Sequence, residues 1–78
     1  MYTKKQGIIM QAIIQELESR KGEIEGALEL LFKTNMKITD WDVPEVDDKQ
    51  AAEILLGIMQ DKLDAIKADV NSGKYDSY

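Results

Sequence analysis

Between Ala51 and Val70 apolar residues wrap more of a helix than a single neighbour could cover, and that excess limits how so short a chain can fold. At about 100° per residue, Ala52, Leu55, Leu56, Met59, Leu63, Ile66 and Val70 form one stripe. Ala51, Ile54, Ile58 and Ala65 widen it to roughly 200° of arc. A helix on the surface of a globular protein needs a stripe of only a little over about 100°. This one is built to touch two neighbours, and a chain of 78 residues is short of material for both. Self-association or a partner protein is the expected source of the second.

Size points the same way. One small domain, residues 1–78, is expected, and below about 70–80 residues one core rarely supplies more than about 3–5 kcal/mol. Disulfides are excluded because the chain has no Cys, and it has no His, so the common zinc ligand sets cannot be built. Oligomerisation is the remaining means of stabilisation.

The formal net charge is -5. Residues 1–34 hold five Lys/Arg and five Glu and balance, whereas Lys37 and Lys49 in residues 35–50 face Asp40, Asp42, Glu45, Asp47 and Asp48. Direct nucleic-acid binding needs a basic footprint, and none is present. No run approaches the roughly 18 apolar residues of a membrane helix. Lys4 and Lys5 precede the apolar stretch Ile8–Ile14, but Gln11 dilutes it, Gln15, Glu16 and Glu18 end it, and no small-residue cleavage site follows. A soluble, cytoplasmic protein without a membrane partner is expected.

Helical spacing also runs from about Thr3 to Thr34, where Met10, Leu17, Ile24 and Leu31 recur every seven residues. Glu16–Arg20 and Glu29–Lys33 are favourable pairs four apart. Arg20 and Lys21 intrude on the stripe, and Gly22 follows. The unbroken seven-residue phase favours one helix over residues 3–34, and the alternative is a three-helix arrangement with a break near Gly22. Residues 35–48 read as an acidic connector. Asn35 ends the first helix, Pro44 biases Val43 to an extended conformation, and Trp41 is expected to be substantially buried across the helix ends. Asp47 or Asp48 caps a second helix of about residues 49–71. Gly73 suits a left-handed C-terminal position, and residues 72–78 form a frayed tail.

Candidate sites are few. A calcium loop counted from Asp40 puts Glu45 where the Gly is needed, Ala51 where the Glu is needed and Pro44 in place of a ligand. Those residues read instead as a solvated acidic loop. Trp41 with Asp40 and Asp42 is a possible docking element, since Trp is enriched at binding hot spots. Gly22 and Gly26 lie opposite the apolar stripe and read as surface glycines. Met10, Met36 and Met59 read as core filler. The missing His and Cys remove the common catalytic bases and nucleophiles, and no phosphate loop or zinc motif is present. No catalytic residue, metal or cofactor is implied.

The expected fold is all-α: a long antiparallel helical hairpin, paired with a second copy into a dimeric four-helix bundle. The expected function is a non-enzymatic, self-associating protein–protein interaction module, such as an adaptor, an inhibitor or an assembly component. Its self-association interface comprises Ile54, Leu55, Ile58, Met59 and Ile66. The alternative is an acidic nucleic-acid mimic that inhibits a DNA-binding protein or nuclease. Against it, Lys62 and Lys67 alternate with Asp61, Asp64 and Asp69, as on an ordinary solvated face.

Overall fold

The computed structural model describes the backbone of residues 2–77 and the side chains of residues 7–77. Among the described residues it is all-helical and contains no strand. Its elements are α1 (Tyr2–Ser19), α2 (Lys21–Asp42) and α3 (Asp48–Asn71). The chain divides into two compact units, Met1–Leu31 and Phe32–Tyr78, with the boundary inside α2.

In the first unit, one residue, Arg20, separates α1 from α2, so the expected unbroken helix over residues 3–34 is corrected to the alternative with a break near Gly22. The cause is local. The Ser19 hydroxyl donates to the Glu16 carbonyl at 2.7 Å, a contact that competes with regular helix pairing. The Arg20 amide then bonds the Leu17 carbonyl three residues back at 3.1 Å, a tightened turn. Regular spacing resumes where the Ile24 amide reaches the Arg20 carbonyl at 2.9 Å. Across the break the Arg20 guanidinium lies 3.8 Å from Glu16 and 3.7 Å from Glu23, so the expected Glu16–Arg20 pair is present.

The second unit is a helical corner. Here α2 continues through Asp42, which corrects both the end expected at Asn35 and the connector over residues 35–48. Phe32, Asn35, Met36 and Thr39 are half-buried along one face, at helical spacing. Half-buried Val46, Ala52, Leu55 and Met59, with buried Ala51, supply the other side. Packing thus outweighs the modest helix propensity of Asn35 and Thr39. The Thr39 hydroxyl also donates back to the Asn35 carbonyl at 3.0 Å.

The actual connector is short. The Val43 amide closes the last turn of α2 on the Thr39 carbonyl at 2.8 Å. Pro44 cannot continue the ladder, and the Val46 amide bonds the Val43 carbonyl at 3.0 Å, making a tight turn with Pro44 at its second position. Asp47 is the N-cap of α3, accepting from the amides of Lys49 at 3.0 Å and Gln50 at 3.5 Å.

The far end of α3 closes as a Schellman motif. Gly73 takes φ 91°, its amide bonds the Val70 carbonyl at 3.1 Å, and the Lys74 amide bonds the Asp69 carbonyl at 3.0 Å. Residues 72–77 are turns rather than the expected frayed tail, with Lys74 3.4 Å from the Asp69 carboxylate and stacked over Tyr75. Tyr78 lies outside the described residues.

Candidate interaction surface

Ala51, at 8 % exposure, is the one buried residue among those described. Each unit therefore presents apolar side chains that its own packing leaves uncovered. In the first unit Met10 and Leu17 on α1, and Ile24 and Leu31 on α2, keep 46–58 % of their surface.

On α3 the five residues expected at a self-association interface fall into two groups. Leu55 and Met59 are half-buried in the corner that α3 makes with the end of α2. Ile54 and Ile58 point away from it and are 60 % and 62 % exposed, while Ile66 is 37 % exposed. The wide arc read from the sequence thus divides physically: one side closes the corner, and the flank stays open. Leu63 and Val70 lie further along α3 on the side of Leu55 and Met59, and both are exposed there.

Trp41 is not buried. It is 86 % exposed, which corrects the expectation that it covers the helix ends. The reason is the longer α2. With Phe32, Met36 and Thr39 turned toward α3, a residue at position 41 lies about 140–200° around the helix from them. As a helical residue Trp41 is carried to the opposite side, whereas a loop could have folded it inward.

Asp40 and Asp48 do come together. A side-chain hydrogen bond joins them across the corner, and that bond, followed by desolvation and the nearby Asp48 charge, holds the Asp40 pKa above its ordinary value of 3.8. The neighbouring Asp48 carboxyl thus disfavours the charged form of Asp40. This contact was not legible in the sequence, because it depends on α2 reaching Asp42 and on the turn at Pro44. Asp47, in the same acidic run, is occupied as the cap of α3. Among the described residues no group of three or more acidic side chains is placed to hold a metal ion.

Gly22 and Gly26 have open space where a Cβ would stand. Met10 is exposed, while Met36 and Met59 are half-buried at the corner, so only the latter two act as filler. Among the described residues no helix is long and apolar enough to cross a membrane. No protein-family model, curated protein or solved structure matches the chain.

Proposed function

We propose that this protein is a non-enzymatic, self-associating interaction module whose helices become stable by packing against a second copy. In the arrangement proposed, two helical hairpins pair into a four-helix bundle. The observation that carries this reading is the open apolar surface of α3, Ile54 and Ile58 above all, beside a single buried residue among those described. Isolated helices are marginal in water, and helical stability comes mainly from covering an apolar face. A chain without Cys or His has neither a disulfide nor a common zinc site to substitute for that packing. Sedimentation equilibrium at micromolar concentration is the test. A dimer or larger assembly is the expected result, and a mass of 8.9 kDa at every concentration overturns the proposal.

The exposure of Trp41 favours a second, compatible role. Flanked by Asp40 and Asp42, it has the composition of a docking anchor for a protein partner, with an aromatic face open to a cationic side chain. Under this reading Trp41→Ala leaves the oligomeric mass and melting temperature unchanged and abolishes binding of an arginine-rich peptide. Equal binding by both proteins overturns it.

A further inference from the structure

We infer that one side of the second unit, carrying Ile38 on α2 and Ile54 and Ile58 on α3, is closed by the same side of a second copy turned end for end. This inference rests on the self-association proposed above and adds which side pairs and in which direction. Residues 43–47 are all that separate α2 from α3. Phe32 and Met59 are half-buried about equally far before and after that connector. The end of α2 and the start of α3 therefore lie side by side and antiparallel.

Helical spacing then fixes the sides. On α3, Ala51, Ala52, Leu55 and Met59 face the corner, and Ile54 and Ile58 lie about 75–115° around from their mean direction. On α2, Phe32, Asn35, Met36 and Thr39 face the corner, and Ile38 lies about 110° around in the same rotational sense along its own chain. In an antiparallel pair, flanks of the same sense fall on the same side. Ile38, Ile54 and Ile58 thus share one side of the unit, where they are 51, 60 and 62 % exposed. The other side differs. Leu56, 52 % exposed, is carried there by α3, but the residues that α2 carries there are Lys33 and Asp40. Of the two sides, the first is apolar on both helices. Each helix of a four-helix bundle meets two neighbours about a right angle apart, which is how the corner-facing and open residues are disposed here.

Charge selects the direction. Two copies can close this side about a twofold axis running along the helices or across them. The first arrangement sets the two connectors side by side, with Asp40, Asp42, Glu45, Asp47 and Asp48 of each against the same acids of the other, and Lys62 level with Lys62. The second sends the connectors to opposite ends. With Ile54 over Ile58 of the second copy, the midpoint of the pair falls at residue 56, and Lys62 lies about 9 Å beyond it. Asp42, level with the first turn of α3, lies about 12 Å from it in the other direction, so inversion brings Lys62 of one copy to Asp42 of the other, twice by symmetry. Juxtaposed like charges oppose the first arrangement and the opposite charges favour the second.

Two measurements on the full chain test this. Ile38→Asp and Leu56→Asp introduce the same charge at nearly equal exposure on opposite sides. In sedimentation, Ile38→Asp is expected to weaken dimerisation by about tenfold or more, and Leu56→Asp by less than about twofold. Equal losses, or the reverse order, overturn the choice of side. Because the chain has no Cys, a spin label on Asn71→Cys reports direction. Inverted copies hold the two labels about 45 Å apart, whereas copies pointing the same way hold them within about 20 Å. A dimer whose labels lie under about 30 Å apart overturns the inversion and leaves self-association standing. A wild-type chain that is monomeric at every concentration overturns both.

Discussion

At the scale of single residues, the sharpest consequences come from Asp40, Gly73 and Trp41. The Asp48 carboxyl and desolvation raise the Asp40 pKa in the folded chain, which therefore holds that proton more tightly than the unfolded one. For an acid with a raised folded pKa, the stabilisation is complete below the ordinary value of 3.8 and is lost as pH rises through the raised one. Asp40→Asn keeps a donor for Asp48 and removes the repulsion. It is expected to raise the melting temperature at pH 7 and to match the parent at pH 3. A variant that melts lower than the parent at both pH values contradicts the contact. Gly73 holds φ 91°, and a Cβ there would stand 3.0 Å from the Asp76 carboxylate. Gly73→Ala should therefore cost about 1 kcal/mol in denaturant unfolding at fixed protein concentration. For Trp41 the expected emission is close to that of free tryptophan and strongly quenched by acrylamide. Blue-shifted, protected emission would place the ring inside a packed interface.

At the scale of elements, the ends of α3 were legible and the end of α2 was not. Asp47 and Gly73 are residues whose backbone chemistry suits one position, a cap before a helix and a left-handed turn after it, so each marks its boundary without help from the rest of the chain. Asp47→Ala is accordingly expected to cost about 1 kcal/mol, read as a lower urea midpoint with an unchanged slope. Asn35 looked like such a marker and is not one. Phe32, Met36 and Thr39 recruit the segment into α2 by packing on α3, and no local signal outweighs that contact. The misplacement of Trp41 follows from the same error, since moving the helix end moves the face on which a side chain emerges. The break at Arg20 was legible from Gly22 and the two intruding cations, although the seven-residue phase argued against it. Both signals are real. The break is a single tightened residue, and helical hydrogen bonding resumes at Ile24.

At the scale of the whole molecule, the wide apolar arc of α3 is the feature that carries the function proposed. Its division into a closed side at Leu55 and Met59 and an open flank at Ile54 and Ile58 could not be read from the sequence. It depends on where α2 ends. Ile58→Asp places a carboxylate on the open flank, where burial without a partner costs several kcal/mol. Sedimentation of this variant is expected to show loss of assembly, with helicity falling as well where folding and association are linked. An unchanged mass would make Ile58 an ordinary solvent-facing residue.

The central claim is that folding of this chain is completed by a second copy. Thermal unfolding followed by far-ultraviolet circular dichroism across a hundredfold range of protein concentration tests it most directly, because association couples the midpoint to concentration. The account predicts a melting temperature that climbs steadily with concentration and falls, together with helicity, on dilution. A sharp transition at the same temperature throughout the range, from a species of 8.9 kDa, would contradict it.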